Sequence, residues 1–152
     1  MKNKFDLIIF DWDGTLINSI DWITNCLQKA AAQCDCAIPE AQAARDVIGL
    51  SIKKAMQALQ ATETEDLFFI TRCADETASK PDPRMLHEII QHTNAAKERT
   101  LMVGDSIHDL QMALNAHISA IAVSCGAHSE EFLQQYNPLL CLQQPTELLN
   151  II

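Results

Sequence analysis

No basic stripe runs through this sequence. Lysine and arginine number 11 against 20 aspartates and glutamates, and the net charge is −9. A general nucleic-acid binder needs clustered cations to contact backbone phosphates, so that class is excluded. An anionic substrate would need a local cation, a metal or a lysine, to offset the acidic field. Cysteine pairing motifs are also missing. Cys26, Cys34, Cys36, Cys73, Cys125 and Cys141 form no CxxC, and no Cys/His spacing matches a zinc site. The CxC at Cys34 and Cys36 could hold a soft metal; otherwise the cysteines read as reduced thiols in helix and strand interiors, in a reducing compartment. No long apolar run opens the chain. MKNKFDLIIFDWDG reaches acidic residues too soon for a signal peptide or a membrane span. The expectation is a cytoplasmic protein with no membrane and no nucleic-acid partner. Internal repeats and low-complexity segments are absent too.

What is present is a chain of 152 residues, 48% hydrophobic and 20% charged. That fits one compact domain, or one domain with a small appendage. Phe5 to Phe10 ends in a continuous apolar run, as in a strand buried on both faces of a parallel sheet. A helix is predicted from Ile17 to about Cys34, with apolar residues at helical spacing. Pro39 interrupts it. A second helical piece runs from about Glu40 to Val47, and Ser51 can cap a third, SIKKAMQALQA. Further strands are predicted at Leu67–Thr71, Thr100–Val103, Ala120–Ser124 and, more weakly, Leu139–Leu142. Helices are predicted at Arg84–His92, at Ile107–Ala116, and after Pro145. This alternation gives an α/β fold, a Rossmann-like three-layer core with a mainly parallel sheet and helices on both faces.

Ligands of such sheets bind beyond the carboxyl ends of the strands. Two strand ends here carry acids: Asp11 and Asp13 after the first, Asp105 and Asp109 after the strand at Thr100. Each pair has a plain alternative, since acids cap helix starts and favour their dipoles. If the two strands are neighbours, however, the pairs converge, and crowded carboxylates repel unless a cation binds. An all-oxygen cluster suits Mg²⁺. Gly14 permits a sharp turn, and Thr15 offers a hydroxyl. Lys80, on a loop stiffened by Pro81 and Pro83, can pair with a nucleophile and a phosphate together. His108 reads as an exposed helix residue, not a ligand.

These segments carry a specific resemblance. Phe10-Asp11-Trp12-Asp13-Gly14-Thr15-Leu16 with Ser19, Lys80-Pro81-Asp82-Pro83, and Val103-Gly104-Asp105-Ser106 with Asp109 and Ala113 resemble the first, third and fourth motifs of the haloacid dehalogenase (HAD) superfamily. Within it, the chain looks most like the phosphoglycolate phosphatase-like group. The resemblance implies a core at residues 1–16 and 62–152, with a truncated helical cap at 17–61. It implies an Mg²⁺-dependent phosphatase acting on a small phosphorylated metabolite, as a monomer or homodimer. Asp11 would be the nucleophile, Asp13 the general acid and base, and Lys80 the stabilising cation. Asp11, the carbonyl of Asp13, Asp105 and Asp109 would serve the metal; Gly14, Thr15, Lys80 and Thr71 would bind substrate.

The second family motif, a Ser or Thr ending the strand after the cap, has no counterpart in its usual setting. That strand pairs with the first strand in the family, so its loss would expose an edge beside the site. One expectation is that Leu67–Thr71 moves into the vacant place and Thr71 supplies the missing hydroxyl. Other readings left open by the residues are a catalytically poor remnant that binds metal or phosphate, a receiver-type signalling domain, and a haloacid dehalogenase.

Overall fold

The computed structural model describes residues 4–33, 37–46, 69–74 and 76–152. The helix expected from Ser51, the Cys34/Cys36 pair, and Leu67 and Phe68 lie outside the described residues.

Among the described residues, four parallel strands form one sheet in the order β1 (Leu7–Phe10), β2 (Thr100–Gly104), β3 (Ser119–Val123) and β4 (Cys141–Leu142). The strand predicted from Thr100 and the first strand are therefore direct neighbours, with Phe10 opposite Val103. Both end at the same level, which brings Asp11 beside Asp105. The described helices are α1 (Ile20–Gln33), α2 (Ala41–Asp46), α3 (Arg84–Thr93), α4 (Ile107–Ala116) and α5 (Glu130–Gln134). Short 3-10 turns at Lys97–Arg99 and Pro145–Asn150 complete the order. The last replaces the predicted terminal helix, with Pro145 in its first turn. None of the described helices is long and apolar enough to cross a membrane.

Strand alternation divides the core in two. Ile9 and Met102 face α3 and α4, where they meet Met85, Leu86, Ile89, Ile90, Met112 and Ala113. Leu101, Val103, Ile121 and Val123 face the other way, against Leu142 and Leu148 of the C-terminal turn. The fold is thus the α/β arrangement expected. On the second face the described cover is the C-terminal 3-10 turn, where regular helices were anticipated.

One expected strand does not form over its described residues. Phe69, Ile70 and Thr71 have no strand pairing, and Phe69 is 83% exposed, its ring 6.1 Å from that of His92. Among the described residues β1 pairs only with β2. A cleft of about 840 Å³ is lined by residues 6–13 on one side and by 69–74 on the other. Thr71 therefore lines the same cleft as Asp11 without adding a strand to β1. An apolar run becomes a strand only where it pairs with an edge, and here the cleft lies between 69–71 and the open edge of β1.

Helix α1 is fixed to the core at its first turn: Ile20 is buried against Ala127, with Ile23 beside them. Arg45 of α2 bonds Asp21 of α1 at 2.6 Å, and Gln28 donates to the Pro39 carbonyl at 3.0 Å.

Candidate active site

The site starts where β1 stops. The Asp11 amide still donates to the Val103 carbonyl at 2.8 Å, so the sheet fixes its backbone. The chain then turns tightly: Leu16 and Ile17 both donate to the Trp12 carbonyl at 3.0 Å. Gly14 sits at φ +84°, a conformation that favours glycine, and an added Cβ would overlap the Asp105 carboxylate and Ile20. Its N–H is taken by the Ile17 carbonyl at 2.7 Å. That amide is therefore taken up by the turn itself. What Gly14 provides is a close approach to Asp105.

Asp105 ends β2 and is 1% exposed. Three groups hold it. Thr15 Oγ1 donates to Oδ1 at 3.1 Å, and the Ala127 N–H donates to Oδ2 at 2.6 Å. The carbonyl accepts from the His128 N–H at 3.3 Å. The Thr15 hydroxyl, read from sequence as a substrate contact, is thus committed to Asp105.

Asp109 lies one turn into α4 and does two jobs. Its Oδ2 accepts from the Ser106 N–H at 3.1 Å and the Ser106 hydroxyl at 2.5 Å, while the Asp109 N–H donates back to Ser106 Oγ at 3.3 Å. That is a capping box, so the helix-start alternative holds for this oxygen. The other oxygen, Oδ1, points to the site, where it lies 2.6 Å from Lys80 Nζ as an ion pair without an aligned hydrogen bond.

Lys80 reaches between two strand ends. Its ammonium contacts both Asp11 and Asp109, and its side chain is 8% exposed. The loop carrying it is tied down by Asn115, whose Nδ2 donates to the Pro81 carbonyl at 2.9 Å. The Lys80–Pro81 bond is cis. Asp13 lines the same cavity, and its Oδ1 accepts from Ser19 Oγ at 2.5 Å. His108 is half-buried rather than exposed, edge-on to His128 with ring centroids 6.4 Å apart.

Oxygens of Asp11, Asp105 and Asp109 lie within 4.8 Å of one another. Burial, then the Asp109 charge, pushes the Asp11 carboxyl up to about 6 despite Lys80 beside it. Burial, then the charges of Asp11 and Asp109, raises Asp105 to about 8. Lys80 is held above its ordinary range by those two anions, against burial, which pulls the other way. The cluster carries more negative charge than its one lysine balances. Between Asp11, Asp13, Lys80, Asp105, Ser106, Ile20 and Ala127 lies a cavity of about 10 Å³, about the room of one water. Three hard oxygen donors, mutual repulsion and a small cavity fit a hard divalent cation such as Mg²⁺. The Asp13 carboxylate is not among these three.

Sequence reasoning did not single out Gly126 and Ala127. They follow β3, at the same end of the sheet as Asp11 and Asp105, and a Cβ at Gly126 would overlap the Asp105 carboxylate. The signal available was the rule that sites gather at strand carboxyl ends, applied to β3 as well as to β1 and β2.

The chain is similar to several known proteins. The chain is 29% identical to the pyrophosphatase PpaX of Halalkalibacterium halodurans over 99 residues, 64% of this chain and 46% of that protein. With PpaX of Bacillus mycoides it shares 31% over 110 residues, 69% and 51% of the two chains. The chain thus spans about half the length of the curated relatives it matches. Among solved structures, a predicted phosphatase from Clostridium acetobutylicum superposes with a TM-score of 0.79 at 15% identity, over 97% of both chains. A haloacid dehalogenase-like family hydrolase from Streptococcus pneumoniae gives 0.70 at 20%, over 97% of this chain and 98% of that one. Both likenesses establish the fold. The haloacid dehalogenase-like hydrolase model matches residues 8–68 and 53–123. Strand ends, acids and lysine fall within or beside the matched stretches, and the chain belongs to the haloacid dehalogenase-like hydrolase family.

Proposed function

We propose that this chain is an Mg²⁺-dependent phosphomonoester hydrolase working through a phosphorylated Asp11. The observation that carries the reading is Lys80 lodged between Asp11 and Asp109, with Asp105 completing the acidic cluster. A purely structural set of helix caps has no use for a buried lysine shared by two strand ends.

Asp11 attacks phosphorus along the line of the leaving oxygen. The P–O bond to the leaving group breaks, and Asp13 supplies the proton that the departing alkoxide needs. Asp13, held by Ser19, then takes a proton from water. That water attacks the acyl-phosphate, the Asp11–phosphorus bond breaks, and phosphate leaves with Asp11 restored. Lys80 offsets the charge of Asp11 and of the transferring group. A bound Mg²⁺, held by Asp11, Asp105 and Asp109, would shield nucleophile and phosphate from each other. Thr71 lines the cleft with Asp11 and would take the place of the missing second motif.

The substrate is a small phosphorylated metabolite in the cytoplasm, with no nucleic acid or membrane involved, and the chain acts as a monomer or homodimer. The PpaX relatives add pyrophosphate to the substrates worth testing. A second reading, a phosphate- or metal-binding remnant, is favoured by one observation: among the described residues no strand lies on the outer side of β1. Magnesium-dependent phosphate release from p-nitrophenyl phosphate, phosphoglycolate and pyrophosphate decides between them. Release that disappears in Asp11→Asn supports the hydrolase. A folded protein that binds Mg²⁺ yet releases nothing supports the remnant.

A further inference from the structure

We infer that Asn115, in the last turn of α4, is a positioning residue for Lys80: its amide fixes the lysine loop at one place along the helix that carries Asp109. The inference goes beyond the hydrolase reading and rests on it only for the turnover measurement below.

Helix α4 meets the Lys80 loop at both of its ends. Its first turn presents Asp109, whose Oδ1 lies 2.6 Å from Lys80 Nζ. Its last turn carries Asn115, whose Nδ2 donates at 2.9 Å to the carbonyl of Pro81, the next residue after Lys80. Six residues separate the two positions, about 9 Å along an α-helix. One rigid element thus locates the lysine twice, its backbone at one end and its ammonium at the other. Slippage of the loop along α4 would draw the ammonium away from Asp109 and Asp11. A lysine has a flexible four-carbon stem, so a loop left unplaced would spread its charge over many positions. A charge that serves a nucleophile has to be held in advance where it is needed.

The Asn115 amide is engaged on both sides. Gln111, one turn earlier on the same face, donates Nε2 to Asn115 Oδ1 at 3.2 Å. With its oxygen facing that donor, the amide presents its nitrogen to Pro81. Other bonds of the loop are local. The Asp82 N–H donates to the Ser79 carbonyl at 3.1 Å, and the Arg84 N–H donates to Asp82 Oδ1 at 2.9 Å. They shape the loop and start α3 without reference to α4. The helix has no need of this side chain for itself. Asn115 is exposed, asparagine is a poorer helix former than alanine, and α4 ends two residues later at His117 in the left-handed conformation.

The test is a double-mutant cycle over four forms: the unaltered chain, Asn115→Ala, Lys80→Met and the two combined. Mg²⁺ affinity is read by calorimetry, and phosphate release from p-nitrophenyl phosphate is read beside it. Lys80 and the ion draw on the same carboxylates, so a loosened lysine should let Mg²⁺ bind more tightly while turnover falls. Asn115→Ala should bind Mg²⁺ about threefold or more tightly and release phosphate about tenfold more slowly, the scale of one hydrogen bond. In the Lys80→Met background the same change should move neither by more than about twofold, because the residue it acts through is gone. Gln111→Ala should move both in the same directions by less. A merely structural tie would lower the melting temperature and have the same effect on both readouts with or without Lys80; that result overturns the inference. Unchanged Mg²⁺ affinity in Asn115→Ala, or no Mg²⁺ binding by the unaltered chain, also overturns it. A chain that shows the Mg²⁺ pattern but releases no phosphate keeps Asn115 in this role and removes the hydrolase reading.

Discussion

Replacing Lys80 with methionine keeps an unbranched side chain one atom shorter and removes its charge. In the folded protein that charge touches Asp11 and lies 2.6 Å from Asp109 Oδ1, with the lysine side chain 8% exposed. At that separation and an effective dielectric near 20, one pair is worth about 6 kcal/mol of Coulomb energy. Much of this is offset by burying the ions, and breaking a buried pair typically costs about 3–5 kcal/mol net, because the partner charge stays behind. For a chain of this size the metal-free variant should melt roughly 10 °C lower at pH 8. The deficit should shrink near pH 5, where Asp11 and Asp105, both raised by burial and neighbouring charge, hold protons. Two further readouts move in opposite directions. Phosphate release should fall about 10²–10³-fold, the scale of losing one preorganised charge contact to the transferring group. Mg²⁺ should bind more tightly, since the cluster has lost its internal cation. Scanning calorimetry without metal, Mg²⁺ titration and phosphate release measure the three. Unchanged melting at pH 8, or weaker Mg²⁺ binding, would refute the electrostatic account of the cluster.

The metal-free protein should lose stability as pH rises. Asp11 and Asp105 hold protons more tightly folded than unfolded, with folded values of about 6 and 8 against an ordinary 3.8. Stability then falls from about pH 4 to pH 8 and levels off above; saturating Mg²⁺ should flatten the slope, and melting curves at pH 5 and 8.5 with and without the ion check this. Gly126→Ala should cost about 1–3 kcal/mol through overpacking and weaken Mg²⁺ about 10–100-fold by displacing Asp105. Unaltered Mg²⁺ affinity in that variant would mean that the loop after β3 does not position the ligand.

Much of this site was legible because its chemistry is local in sequence. Asp11, Asp13 and Gly14 sit at the tip of an apolar strand, Asp105 and Asp109 at the tip of another, and both strands appear where their apolar runs are. Helix α4 matches its predicted bounds, Ile107 to Ala116, because Ser106 and Asp109 form the capping box that starts it. What was not legible is non-local. Thr15 and Gly14 were expected to bind substrate; the partners they have in the fold, Asp105 and Ile17, are set by the turn and by β2. Phe69–Thr71 has strand-like composition, yet whether it forms a strand depends on a neighbouring edge that composition does not report. Gly126 shows its importance only through Asp105, distant in sequence and adjacent in space.

The central claim is that Asp11 carries the phosphoryl group during turnover. Its direct test is to quench the protein with acid within the first turnover of phosphoglycolate and Mg²⁺, then weigh the peptide containing Asp11. The account predicts one added phosphoryl group on Asp11, absent without Mg²⁺ and absent in Asp11→Asn. Phosphate release that continues in Asp11→Asn, with no adduct on the unaltered peptide, would contradict it.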